Sequence, residues 1–230
     1  MTNDYGASAH YEGLSGRAYF AYQNLSAAVG GKLEVKKFDA LVRPTDRVLD
    51  FGCGGGWLLR ELVCREKVGV ELNENAHPAC VANQVRVYKR IGDVPDRDFD
   101  VIVTNHCLEH VPYPVEALRA LGGLLAPEGK ILIVVPIDDW REQPDHTGKD
   151  INHHLHTWTP RLLANTLVEA GLAPLDIKVL TYAWFPRWEI AYGRIPSICF
   201  DVMCWAWSVI KYRRQLFAYA KKADSVAASG

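Results

Sequence analysis

The chain predicts an α/β fold, a mostly parallel sheet with helices on both faces, and three observations predict it. Short β-branched and aliphatic runs alternate with segments whose apolar residues recur at helical spacing. One run, Val48-Leu49-Asp50-Phe51, passes directly into four glycines, Gly52, Gly54, Gly55 and Gly56. A second short run, Lys67-Val68-Gly69-Val70, ends in the acid Glu71, about 20 residues after that turn, where nucleotide-binding α/β folds place a carboxylate.

Taken in order, residues 1–44 read as a helical lead-in, with Tyr19, Phe20, Tyr22 and Leu25 supplying an irregular apolar face. Strands are predicted at 47–51, 67–71, 85–88, 99–104, 130–136 and 175–182, and helices at 57–64, 75–83, 114–125 and 159–170. Thr159 is the predicted cap of the last helix, with Pro160 at its first position, where the missing N–H costs nothing. An aromatic insertion at 183–213 interrupts the rhythm, and Gln215 to Ala220 forms the final strand. The domain then runs from 45 to 222, with 223–230 as a flexible tail.

The glycines occupy a strand-to-helix turn, where positive φ is needed and a ligand can lie against bare backbone. A dinucleotide fingerprint requires a third glycine where this chain has Trp57. Asp50 adds a negative charge that repels a pyrophosphate and suits a cationic sulfonium carrying an ammonium group.

In order and spacing, the Val48–Gly56 run, Gly69-Val70-Glu71-Leu72, Gly92-Asp93, the stretch Phe99 to Val111 and Leu125 to Lys130 resemble the motifs of class I S-adenosylmethionine-dependent methyltransferases, over roughly residues 45–182. Tyr19-Phe20 with Gln23-Asn24, and His154-Leu155-His156-Thr157-Trp158-Thr159-Pro160, are similar to the small-molecule branch that modifies sugars and polysaccharides. The resemblance implies a Rossmann-like, doubly wound sheet of seven strands whose last strand runs antiparallel. It also implies S-adenosyl-L-methionine as cofactor and S-adenosyl-L-homocysteine as product. By the same resemblance, Asp50, Gly52 and Gly54 line the methionine portion, Glu71 with Leu72 meets the ribose, Asp93 meets the adenine amino group with Ile91 or Val94 against the ring, and Asn105 and His106 approach from the other side.

Methyl transfer to a hydroxyl requires a proton acceptor, and the segment after the fifth strand is dense in His146, His153, His154 and His156, with Asp138, Asp139, Asp145 and Asp150 nearby. His154 is the chosen base and His153 the second candidate. A divalent metal and a polar loop without chemistry are the competing readings; the spacing matches no metal signature, so no metal ligand is assigned. His110 is a further base candidate, and Glu109 reads as the start of a helix.

With 26 Lys+Arg against 27 Asp+Glu, the chain lacks the basic excess that drives nucleic-acid binding. The stretch Asn105-His106-Cys107-Leu108 also differs from the Asn-Pro-Pro-Tyr-like segment of methyltransferases acting on the amino groups of bases. A small-molecule acceptor is therefore expected, most simply a hydroxyl of a sugar-like compound. Transfer to nitrogen, sulfur or carbon, and a non-catalytic cofactor-binding or assembly protein on the same fold, are the alternatives.

Six cysteines without a C-x-x-C pair suggest reduced thiols, and the N-terminal residues carry no basic-then-apolar pattern, so a cytoplasmic location is expected. Ser197 to Ile210 is too short to span a bilayer. Packing against the sheet or a second subunit, as in a homodimer, is the first reading of the insertion. A lid over an amphipathic substrate is the second, and an interfacial helix in peripheral membrane contact the third.

Overall fold

The computed structural model describes residues 8–139, 141, 146 and 150–223; residues 1–7 of the lead-in, Asp145 and residues 224–230 of the expected tail lie outside it. Seven strands form one sheet in the order β3-β2-β1-β4-β5-β7-β6. They are β1 (Arg47–Phe51), β2 (Glu66–Val70), β3 (Arg86–Tyr88), β4 (Phe99–Asn105), β5 (Leu125–Ile137), β6 (Leu172–Leu180) and β7 (Arg214–Lys222). All pairs among β1 to β5 are parallel, and β7 runs antiparallel to both neighbours, β5 and β6.

The helices are α1 (Gly13–Glu34), α2 (Trp57–Glu61), α3 (His77–Ala82), α4 (Pro114–Leu124), α5 (Pro160–Glu169), α6 (Trp188–Ala191) and α7 (Ser197–Ile210). The central strands are buried on both faces, so they read as apolar runs rather than alternations. Leu49, Ile102, Ile131 and Ile133 face α4 and α5 with the buried Trp158. Val48, Val101, Val103, Leu132 and Val134 face Phe38, Leu58, Leu59 and Leu62 on the other side. Each such side chain contributes about 1.5–3 kcal/mol on burial.

Several boundaries differ from expectation for local reasons. The helix expected over 57–64 ends at Glu61 because Leu62 is extended (ψ 135°) and Arg65 N is already tied to Asp46 O at 2.9 Å, leading into β2. Strand β5 starts at Leu125, not 130, since Leu125 pairs with Phe99 before a register shift restores pairing at Val101–Lys130. Strand β6 covers Leu172–Leu180 rather than 175–182, starting just after Gly171, whose positive φ of 79° turns the chain out of α5.

The insertion contains α6 and α7, and of the expected reading, packing on the sheet or a second subunit, the sheet is not its main support within the chain. Trp188, Phe200 and Cys204 bury against Leu33, with Val29 and Trp184 beside them, so its support is α1. The opposite face of α7 leaves Ile198, Val202, Trp205 and Ile210 exposed.

Two glycines test these packing relations. A Cβ at Gly31 in α1 would stand 2.6 Å from the backbone oxygen of Trp57, whereas one at Gly123 in α4 would meet nothing within 4 Å. Gly31→Ala is expected to lower stability by about 1–3 kcal/mol, or very roughly 3–10 °C in Tm, despite the better helix former. Gly123→Ala is expected to raise stability by about 0.4–1 kcal/mol. Thermal melts of both variants check the pair.

Candidate active site

The strand order reverses direction between β1 and β4, and in open α/β sheets the crevice at the carboxyl ends of such a pair receives the ligand. The turn after β1 lies there. Gly52, Gly54 and Gly56 have φ of 78°, 51° and 74°. Gly52 has a second requirement, because a Cβ would lie 2.3 Å from Cys107 Sγ at the end of β4. Its N–H and that of Cys53 donate to Val70 O at 2.8 and 3.2 Å, lashing the turn to β2. The close helix–strand approach falls to Gly56, whose Cβ would meet Val85 Cγ2 at 3.0 Å. Trp57 is accommodated because its side chain leans toward α1, with Nε1 donating to Asn24 Oδ1 at 3.2 Å and the Arg60 guanidinium over its ring.

A cleft of about 840 Å³, counting space open to solvent, occupies the crevice, a size suited to a small ligand. Gly52, Gly54, Glu71, Leu72 and His106, all expected at a cofactor site, line it, as does Ile91. The lead-in covers it with Tyr11, Tyr19 and Gln23. Lys89 ties the mouth by pairing with Glu12 at 3.1 Å and Glu74 at 2.8 Å.

Asp50, Asp93 and Asn105 are not among the lining residues. Asp50 is 2% exposed behind the turn, and its Oδ1 is buried without a hydrogen-bond partner. Burial, then the charge of Glu71, pushes its carboxyl up to about 8. Asp93 is exposed and accepts from Arg90 N at 3.0 Å, while Ile91 and Val94 beside it are buried. Asn105 is half-buried near Glu34 with Oδ1 unpartnered. The Glu71 carboxylate accepts from Gly54 N and Asn73 N, each at 2.8 Å. Burial raises its pKa, and those two N–H groups oppose the rise.

At the other end of the cleft stand His106 and His110, and behind them His154. His154 Nδ1 lies 2.7 Å from Asp138 Oδ2. Burial works against the charged ring, but the Asp138 carboxylate outweighs it and holds the imidazolium above its usual range. The His110 ring meets that of His154 at 4.9 Å, and burial lowers its pKa. His153 turns elsewhere: it adopts φ 54° and stacks on His10 at 4.7 Å. His156 Nε2 is bonded to Val111 O at 2.9 Å, and His146 is exposed.

Sequence reasoning gave no role to Tyr11 and read Glu109 only as a helix start. Tyr11 Oη lies 2.7 Å from His110 Nδ1 and donates to Asn152 O at 2.5 Å, and Glu109 is wholly buried. The one available signal was the Glu109-His110 pair, an acid next to a histidine just beyond a strand. His106 also borders a second cleft, lined with it by Asp138, Asp139, Tyr182, Arg214 and Gln215.

The family profile described as a methyltransferase domain matches residues 19–177. The ubiquinone biosynthesis O-methyltransferase of Nitrosococcus oceani is 37% identical over 100 residues, 37% of this chain and 41% of that protein. That of Neisseria meningitidis serogroup C is 28% identical over 160 residues, 59% of this chain and 67% of that protein. The chain thus spans about two fifths to two thirds of the length of these relatives. Among solved structures, a SAM-dependent methyltransferase of Thermotoga maritima, described as a possible histamine N-methyltransferase, superposes with TM-score 0.61 at 18% identity, covering 88% of this chain and 94% of that one. Geranyl diphosphate C-methyltransferase of Streptomyces coelicolor, solved with S-adenosyl-L-homocysteine, gives 0.58 at 15%, covering 85% and 77%. With the profile matching most of its length and the sheet order and glycine turn in place, the chain belongs to the methyltransferase-domain family and has the class I S-adenosylmethionine-dependent methyltransferase fold.

Proposed function

We propose that this protein transfers a methyl group from S-adenosyl-L-methionine to a hydroxyl of a small molecule, with residues 45–222 as the catalytic domain. The observation that carries the reading is one continuous cleft joining the glycine turn and Glu71 to His106 and His110. The donor set fits a cation: Asp50 Oδ1 is buried without a partner just behind the turn, and Glu71 adds a second carboxylate. Gly52 and Gly54 are assigned to the methionine portion with Asp50 behind them, Glu71 and Leu72 to the ribose, Ile91 and Asp93 to the adenine side, and Asn105 and His106 to the opposite wall.

The cofactor supplies an electrophilic methyl on a sulfonium, and what remains for the chain is positioning and proton management. Tyr11, Tyr19 and Gln23 cover the cleft and exclude water. The second cleft, sharing His106 and bordered by Asp138, is assigned to the acceptor. When the acceptor hydroxyl gives up its proton on methylation, His154 would receive it. Asp138 accepts from Nδ1–H, leaving Nε2 as the receiving atom. His153, stacked on His10, is the secondary candidate.

Relatives named for ubiquinone biosynthesis support transfer to oxygen; the sugar-like acceptor rests on the His154–Pro160 motif and its upstream partners. Six unpaired thiols support a reducing, cytoplasmic setting. No described helix is long and apolar enough to cross a membrane.

Calorimetry with S-adenosyl-L-homocysteine is expected to give micromolar-range binding; absence of binding overturns the reading. A cationic cofactor selects the ionised Asp50, so S-adenosyl-L-methionine affinity is expected to rise with pH by up to about tenfold per unit and to level off above about 8. Asp50→Asn should flatten that profile. The sign for stability is opposite: the folded pKa lies above the unfolded one, so this group destabilises the ligand-free protein progressively from about pH 4 to 8. Asp50→Asn should therefore unfold at higher temperature than the parent at pH 8.

In chelator-treated enzyme, turnover of a panel of phenolic and sugar hydroxyls is expected to fall about 10²–10⁴-fold in His154→Ala and far less in His153→Ala. Asp138 raises the His154 pKa, so Asp138→Asn should move the acid limb of the kcat profile to lower pH. Equal turnover in the parent and His154→Ala would remove the base.

A further inference from the structure

Glu109, His110 and His154 each bring a possible ligand atom to one place, and among the described residues no donor reaches the buried Glu109 carboxylate. Glu109 has 1% of its side chain exposed, and both carboxylate oxygens are buried without a hydrogen-bond partner. His106 Nδ1 and His110 Nε2 lie 3.5 and 3.8 Å from its Oε1, at or beyond the limit of a hydrogen bond.

The surrounding network fixes which ring nitrogens carry protons. Tyr11 Oη donates to Asn152 O, so at His110 it accepts, and Nδ1 carries the proton. Neutral His110 then turns a lone pair on Nε2 toward Glu109. Gln215 Nε2 donates to Tyr182 O, and its Oε1 accepts from Lys37, so His106 donates from Nε2, and its neutral ring presents a lone pair on Nδ1. Asp138 accepts from His154 Nδ1, which leaves Nε2 as the nitrogen His154 can offer. One donor atom from each of Glu109, His110 and His154 lies within 4.8 Å of the other two.

Lone pairs facing a buried carboxylate repel one another unless a cation stands between them. We propose that Glu109, His110 and His154 bind a divalent transition-metal ion, with His106 flanking the site. Two imidazoles and a carboxylate suit Zn²⁺, Co²⁺ or Fe²⁺ rather than Mg²⁺ or Ca²⁺, which prefer all-oxygen shells. Bonds of about 2.1 Å set adjacent ligands roughly 3–3.5 Å apart, so binding draws the three side chains together by side-chain rotation. Asp138 and Tyr11 already hold the distal nitrogens, as outer-shell groups do for metal-bound histidines. Three protein ligands leave a position open for water or an acceptor oxygen, and His110 puts that position beside the cleft. In the loaded protein His154 would be a ligand, the metal would supply Lewis acidity to an acceptor oxygen, and the hydroxyl proton would pass instead to the flanking His106. That last step rests on the acceptor being a hydroxyl, whereas the binding itself does not.

The test uses the untagged full-length chain, freed of metal by chelator and titrated with Co²⁺ and Zn²⁺ alone. Visible d–d absorption is expected to saturate at one equivalent of Co²⁺. Glu109→Gln and His154→Ala should each abolish saturation or weaken it beyond the roughly 10–100-fold loss expected for Asp138→Asn, while His146→Ala binds as the parent does. X-ray absorption at the zinc edge of the parent, which needs no variant to fold, should show imidazole and carboxylate ligation. No saturable binding, a zinc shell without imidazole, or unchanged binding in folded Glu109→Gln and His154→Ala overturns the site. Calorimetry with S-adenosyl-L-homocysteine on the same metal-free sample separates the proposals: cofactor binding without metal binding removes this one alone, and metal binding without cofactor binding removes only the methyltransferase reading.

Discussion

Everything in the site depends on the reversal of strand order at β1 and β4. The two strands pair in register, Leu49 opposite Ile102, yet the chain leaves them toward opposite flanks, so their carboxyl ends part around a crevice. The crevice is usable only because backbone meets side chain without a Cβ between them, Gly52 against Cys107. Any other residue at Gly52 would close it and would also be forced into the left-handed region. The turn's N–H bonds to Val70 and the Gly54–Glu71 bond then place β2's terminal carboxylate at the same opening.

Charge is the second organising element. Buried Asp50 and Glu109 and half-buried Glu71 bring three carboxylates around one cleft, and none of the three has a Lys or Arg ion pair among those described. Contrast Glu34, also buried, which Lys37 holds ionised from 2.5 Å against the pull of burial. The fold satisfies carboxylates elsewhere, so unmatched ones at a single cleft mark places where positive charge arrives from outside. The tyrosines that cover the cleft sharpen this, since burial, and then neighbouring negative charges, raises the pKa of both Tyr11 and Tyr19 and keeps them neutral.

Much of this was legible in the chain because it is local. Strand β1 lies where expected, at Arg47–Phe51, since its apolar run is bounded by the glycines, and β7 lies within two residues of its expected position. Gly52, Gly54, Glu71 and His106, assigned through the family resemblance of motifs at strand ends, line one cleft. What could not be read depends on distance in space. Tyr11 meets Asn152 and His110 across more than ninety residues of chain, and no periodicity in the lead-in singles it out. Trp57 stands where a dinucleotide fold needs its third glycine, yet it does not obstruct the packing there. The close-packing role passed to Gly56, which freed position 57 for an indole directed at α1. His154 and His153, the first and second base candidates in the sequence, are separated in space by a positive φ that swings His153 onto His10.

The aromatic insertion was hard to read for the same reason, since composition reports that a surface is covered but not by what. Its partner is the one helix that also covers the cleft. Adjacent glycines near the end of α1 each sit against a tryptophan: Gly30 faces the indole of Trp184 in the insertion, where a Cβ would meet Cη2 at 3.1 Å, and Gly31 faces the backbone of Trp57 just after the glycine turn. The same helix places Tyr19 and Gln23 in the cleft lining nearer its start. A shift of the insertion against Gly30 would therefore move α1 as a body, because a close-packed contact transmits displacement instead of absorbing it. Tyr19 and Gln23 sit on that same helix, so one element borders both the insertion and the cleft.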